Sequence, residues 1–415
     1  MKILWFTNSP SNYKSGTNKY NGGGWISSLE SSINCREDIE LAIAFTMDGQ
    51  EFKVHQNGVT YYPMPCCPIK KWRKIQSLFY GNTRNEKENW PKLIQQYLKV
   101  IEDFKPDIIQ IFGSEQPFGL ISSETNIPVV LHLQGILNPY LNAFLPPFIS
   151  FRDYYWQNFN PVNALKNYNR ICLWKRNCFR EREILKRVRN YIGRTEWDRM
   201  IVEAYTLKQS RYFYGSEILR APFYQNKNRD IPQRLTISTT ISNPTYKGFD
   251  FILKTADFLK NEMKLEFDWN VYGNINPCFM EKKFHIKTSK VNIHLKGVAS
   301  AEEIRESLLK STVYVHPSYI DNSPNSICEA QLQGIPVIAC NVGGVSSLIE
   351  HGKSGILVPA NDPTLAASHI YSLYLDQNKN LKLGQKAKEI ASVRHNRGRI
   401  VDELINTYLQ ILKKD

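Results

Sequence analysis

Residues 312–345, T-V-Y-V-H-P-S-Y-I-D-N-S-P-N-S-I-C-E-A-Q-L-Q-G-I-P-V-I-A-C-N-V-G-G-V, constrain the fold most. The β-branched and aromatic run 312–316 predicts a buried strand. Ser323 supplies an N-cap and Pro324 the first helical position, where a missing N–H costs nothing. The helix continues through Ile327, Glu329 and Ala330 and stops at Gly334, with Pro336 just beyond. Residues 336–340 predict a second strand. Two strands joined by a helix run parallel with a right-handed crossover. In such sheets ligands collect at the carboxyl ends of the strands.

That geometry gathers several chemical features. Asp321 lies in the loop leaving the first strand. The helix head, with Asn325 and Ser326, presents free amides and partial positive charge, which suits a phosphate. Gly343 and Gly344 leave the second strand, where missing side chains admit a ligand to the backbone. Glu329 lies one to two turns inside the helix, where its carboxylate can accept two hydrogen bonds from a ribose diol. Each piece alone also fits any capped parallel crossover. The acid eight residues before Glu329, taken with the rest, favours a nucleotide site.

The segment resembles the donor-site signature of retaining glycosyltransferases of family four, which have the GT-B fold. The matching residues are Asp321, Pro324-Asn325, Glu329-Ala330, Gly334, Pro336-Val337, Gly343-Gly344, and Gly355 followed by Leu357-Val358-Pro359. Where the family has Glu at the first acid, this chain has Asp321, one methylene shorter. The resemblance implies an α/β fold of two Rossmann-like, doubly wound parallel-sheet domains facing a cleft. It also implies retention of anomeric configuration by a front-side mechanism. Asp321 would hold donor-sugar hydroxyls and Glu329 the ribose.

Further positions follow from the same resemblance. The glycine-rich loop with Gly23 and Gly24 would close over the donor diphosphate. Lys247-Gly248 matches a cation site for the diphosphate, while Ser242 stands where the family has Arg. The turns at Gly273-Asn274 and Gly297-Val298 would hold the nucleobase through backbone groups. The family has a His before the glycine corresponding to Gly135. Here that position is Gln134, with His132 two residues earlier, so either is a candidate beside the reacting sugar. Gly193-Arg194-Thr195-Glu196-Trp197-Asp198 resembles a stretch closing the family's N-terminal domain.

A chain of 415 residues exceeds one ordinary core, so two domains are expected. The polar run 225–233 suggests the linker. The expected division is residues 1–222 on the acceptor side, 223–392 around the nucleotide sugar, and a C-terminal helix in 393–415 returning toward the first domain. No apolar run approaches the ~18 residues that span a bilayer, and the start turns polar too soon for a signal peptide. The eight cysteines show no paired CxxC spacing, which suits free thiols in a reducing cytoplasm. No D-x-D, close His pair or His/Cys spacing suits a metal, and no cofactor is expected beyond the donor substrate.

The formal net charge is +14, which fits either nucleic acid or an anionic membrane surface. No nucleic-acid motif stands out. The cluster 69–74 sets a tryptophan among cations, as at a membrane interface. Residues 166–189 carry nine Lys/Arg and two Glu on a partial apolar stripe, predicting a basic amphipathic helix with a break. Both also read as solvated surface. The aromatic, proline-rich segment 144–159 is expected on the acceptor side.

The leading reading is a hexosyltransferase using a UDP- or GDP-sugar, with a glycan or lipid-linked acceptor in cell-surface polysaccharide synthesis. It would work in the cytoplasm, peripheral on the inner membrane face. The alternatives are a nucleotide-sugar-binding protein without transferase activity and a basic nucleic-acid-binding protein.

Overall fold

A computed structural model describes residues 1–14, 24–47, 52–65, 87–157, 160–207, 209–225, 229 and 231–413. Gly23, Cys66, Cys67 and the basic cluster 69–74 lie outside these residues. The chain forms two compact units. One comprises Met1–Leu141, Leu165–Ile218 and His395–Asp415; the other comprises Asn142–Ala164 and Leu219–Arg394.

The first unit holds an eight-stranded sheet: β1 (Lys2–Phe6), β2 (Glu40–Thr46), β3 (Val54–Gln56), β4 (Val59–Met64), β5 (Ile108–Phe112), β6 (Val129–His132), β7 (Asn190–Gly193) and β8 (Arg211–Tyr214). Their spatial order is β3-β4-β2-β1-β5-β6-β7-β8. Every pairing is parallel except the β3–β4 hairpin. β1 and β5 are near-continuous apolar runs, as strands covered on both faces must be. The helix Trp90–Phe104 buries Trp90, Tyr97, Val100, Ile101 and Phe104 at helical spacing. The C-terminal helix Arg397–Leu412 belongs to this unit and buries Ile400, Leu404, Tyr408 and Ile411.

The second unit holds a six-stranded, all-parallel sheet: β9 (Leu235–Thr240), β10 (Phe267–Tyr272), β11 (Ile293–Gly297), β12 (Val313–His316), β13 (Val337–Cys340) and β14 (Ile356–Val358), in the order β11-β10-β9-β12-β13-β14. Chain order reverses between β9 and β12, the switch point at which doubly wound sheets receive ligands. The units are thus two Rossmann-like parallel-sheet domains.

Three expectations need correction. The basic segment is one uninterrupted helix, Pro161–Arg187. It lacks an internal Pro or Gly, so nothing in the backbone breaks it. The aromatic segment groups with the second unit, not the first: Ile149 joins that core, and Phe144 packs on Tyr246 with ring centroids 6.2 Å apart. The crossover helix begins at Asn325, with Pro324 rather than Ser323 as its N-cap, because Pro324 is still extended at φ −68°, ψ 120°.

Candidate functional site

At the carboxyl edge of the second sheet, the loops after β9, β12 and β13 lock together through their backbones. Tyr319 N donates to Tyr246 O at 2.8 Å, and Gly344 N to Asp321 O at 2.9 Å. Two glycines permit this approach. A Cβ on Gly248 would stand 2.1 Å from Pro317 O, and one on Gly343 would stand 2.0 Å from Asp321 O. Both have positive φ, +75° and +52°, where a side chain adds strain.

Inside this cradle Asp321 is buried with both carboxylate oxygens hydrogen-bonded. Oδ2 accepts from Lys247 Nζ at 2.5 Å, His316 Nε2 at 3.0 Å and Ser318 Oγ at 3.4 Å; Oδ1 accepts from Asn322 N at 3.2 Å. Burial pushes the Asp321 carboxyl up, but Lys247 and His316 outweigh it and hold the group well below the usual carboxylate range. Three of these contacts fall on Oδ2 and one on Oδ1, so the side chain is held mainly through Oδ2. The geometry therefore makes Asp321 an anchor for Lys247 and His316. The Lys247 ammonium carries three donors, so its pairing with Asp321 leaves donors for an anion. Burial lowers the His316 pKa despite its acidic neighbour.

Glu329 is buried on the helix Asn325–Leu332. Its two oxygens accept from Arg220 Nε and Nη2, each at 2.7 Å. Burial raises the Glu329 pKa and Arg220 opposes that shift. The bidentate pair uses one lone pair on each oxygen, leaving acceptor capacity for a diol. Arg220 escaped the sequence reading: it lies 109 residues away beside Ala221-Pro222, with no local pattern marking it. Ser242, where the family pattern has an arginine, is exposed.

The head of the same helix has no side-chain cap from Pro324. The Asn325 side-chain oxygen is buried without a hydrogen-bond partner among the described residues. Ser326 bonds the buried Tyr314 phenol, which accepts from Thr240 N at 3.3 Å and so ties the helix head to the end of β9. On the other side of β9, Gly273 N donates to Gly297 O at 2.7 Å, joining the turns after β10 and β11. Gly273 has φ +132°, and a Cβ there would meet Ile241 O at 1.8 Å. Val298 is 80% exposed.

The remaining candidates belong to the first unit. His132 ends β6 and is buried against Trp25 and Phe112. Gln134 is half-buried, and its carbonyl accepts from Arg194 Nη2 at 2.5 Å. Gly24 opens the helix Gly24–Ile33. The 193–198 motif is a helix start: Thr195 and Asp198 form a capping box for Glu196–Thr206. Among the described residues, no group of three or more His, Cys, Asp or Glu could hold a metal ion.

Residues 228–390 match the family model described as Glycosyl transferases group 1. The D-inositol 3-phosphate glycosyltransferase of Corynebacterium efficiens is 33% identical over 90 residues, which is 22% of this chain and 21% of that protein. The chain thus matches about a fifth of the length of such curated relatives. Solved structures match over nearly the whole chain. Sucrose-phosphate synthase from Thermosynechococcus elongatus superposes with TM-score 0.70 at 13% identity, covering 99% of this chain and 98% of that one. Anabaena HepE in complex with UDP-glucose superposes with TM-score 0.66 at 16% identity, covering 99% and 100%. The two Rossmann-like domains therefore form a GT-B-like fold.

Proposed function

We propose that the protein is a retaining glycosyltransferase that moves a hexose from a UDP- or GDP-sugar to a glycan or lipid-linked acceptor. The observation that carries this reading is the cradle at the carboxyl edge of β9, β12 and β13. It combines a glycine-lined approach, one cation on Asp321 and the buried Glu329 carboxylate, all within residues 228–390, with Arg220 clamping that carboxylate from just before them. Lys247, the amides of Asn325 and Ser326, and the Gly343-Gly344 turn face the diphosphate. They stabilise charge as it develops on the leaving nucleotide, without a metal. Glu329 takes the ribose diol, and the turns at Gly273 and Val298 the base. Asp321 fixes Lys247, and its contact with the sugar comes second to that task. The roles expected for Gly23 and Gly24 on the diphosphate, and for His132 or Gln134 beside the sugar, belong to the same proposal. So do work at the inner face of a membrane and contact with its anionic lipids. Nucleic acid has no part in it.

The test is release of UDP or GDP from a panel of nucleotide sugars, with and without a membrane-lipid extract, in EDTA. Acceptor-dependent release of one nucleotide, with the sugar appearing in the lipid or glycan fraction, supports the proposal. Tight binding without release under any condition would instead favour a nucleotide-sugar-binding protein.

A further inference from the structure

His132 sits at one end of a chain of buried hydrogen bonds within the first unit. Trp5 Nε1 donates to Tyr408 Oη at 3.2 Å. Tyr408 Oη bonds Gln110 Oε1, and Gln110 Nε2 bonds His132 Nδ1 at 3.1 Å. Trp5, Tyr408 and Gln110 are fully buried, and His132 nearly so. The chain links three parallel strands, β1, β5 and β6, to the C-terminal helix.

The direction of these bonds follows from the chemistry of the first group. An indole N–H only donates, so Tyr408 Oη accepts from Trp5. The phenol proton must then go elsewhere, and Gln110 Oε1 takes it. Turning the Gln110 amide over would aim a second donor at Tyr408 and leave the phenol proton without an acceptor inside the core, whereas the observed orientation pairs every donor of the chain up to His132 and leaves the one unmet N–H at its end. With the amide fixed, Gln110 Nε2–H faces His132 Nδ1, which must present a lone pair. A neutral imidazole with a bare Nδ1 carries its proton on Nε2. That Nε2 atom is buried with no partner among the described residues. Burial and the nearby Arg194 charge lower the His132 pKa to about 3, which keeps the ring neutral.

We propose that Trp5, Tyr408 and Gln110 form a one-way hydrogen-bond relay through which the C-terminal helix fixes His132 as an Nε2–H donor. The relay separates His132 from Gln134, whose backbone carbonyl is held by Arg194. In this state His132 offers a hydrogen bond and cannot take a proton at Nε2. Tyr408 and Gln110 are positioning residues. If the functional reading above holds, His132 serves it as a fixed hydrogen-bond donor and not as a base.

The relay is tested on the full chain labelled with ¹⁵N-histidine. Long-range ¹H–¹⁵N spectra identify the tautomer, and loss of signals in His132→Gln assigns them. The wild type should hold a single neutral form protonated at Nε2. Tyr408→Phe frees the Gln110 amide to turn, and Gln110→Met removes it; each should give a mixture of tautomers. A wild-type proton on Nδ1, or full retention of the Nε2–H form in either variant, would overturn the relay. In transfer assays both variants should lose kcat, by up to about 10²-fold as for one misaligned donor, with KM for the nucleotide sugar unchanged. If the wild type transfers no sugar, the functional reading fails while the spectra still decide the relay.

Discussion

Arg220 grips both oxygens of Glu329 at 2.7 Å, joining residues 109 positions apart through a bidentate ion pair in a buried setting. Burial raises the Glu329 pKa, and the Arg220 guanidinium opposes that rise. The pair also aims the carboxylate, because a guanidinium fork fixes the plane of its partner.

Arg220→Met should therefore leave an unpaired buried carboxylate and destabilise the second unit by about 3–5 kcal/mol. Arg220→Met combined with Glu329→Met should regain most of that loss, because replacing a buried pair by apolar groups is close to neutral. Chemical denaturation of the single and double variants measures both effects. Recovery of stability in the double variant without recovery of nucleotide binding is the expected pattern.

Lys247→Met should reduce transfer by about 10²–10³-fold, the cost of removing one preorganised charge-stabilising donor. It should also destabilise the protein, since Asp321 keeps its burial and loses its cation. Adding Asp321→Asn to Lys247→Met should restore stability but not transfer, as melting curves and initial rates will separate.

How much of this was legible in the sequence depends on the distance over which each interaction acts. The strands Lys2–Phe6 and Ile108–Phe112 are apolar runs, and the helix Arg397–Leu412 falls within the 393–415 segment expected to hold one, because apolar runs and periodic stripes are local signals. Aromatic content marked 144–159 as a packed segment but could not tell which sheet it packs on. Glycine spacing marked Gly343, yet only the fold reveals that Asp321 O is what a side chain would strike. Arg220, His316 and Tyr408 stayed unread because their partners are set by tertiary contacts, not by spacing.

Gly343→Ala and Gly352→Ala offer a comparison at similar backbone angles. Both glycines have positive φ, +52° and +78°, but a Cβ at Gly352 meets nothing within 4 Å. Gly352→Ala should cost only the left-handed backbone penalty of about 1–2 kcal/mol. Gly343→Ala should cost clearly more and weaken nucleotide binding, because the cradle must open to relieve the clash with Asp321 O. Equal losses in denaturant would argue against the backbone lock.

Stability should fall in mild acid through His132. Its pKa is lowered by burial to about 3 in the folded protein, against roughly 6.5 when unfolded. Below pH 6.5 the unfolded chain binds a proton that the folded one refuses, so stability is full above that pH and declines toward pH 3. The slope approaches about 1.4 kcal/mol per pH unit. His132→Gln should flatten the curve by that amount between pH 6 and 4. His316, whose pKa is also lowered by burial, remains in both proteins and cancels in the difference.

Calorimetric titration of UDP and GDP into the wild type and Glu329→Ala tests the donor site most directly. The wild type should bind one of the two nucleotides at one site per chain, and Glu329→Ala should bind it at least about tenfold more weakly, the loss of roughly 1.4 kcal/mol. Equal affinity in the two proteins, or no binding of either nucleotide to the wild type, would contradict a nucleotide-sugar site built on Glu329.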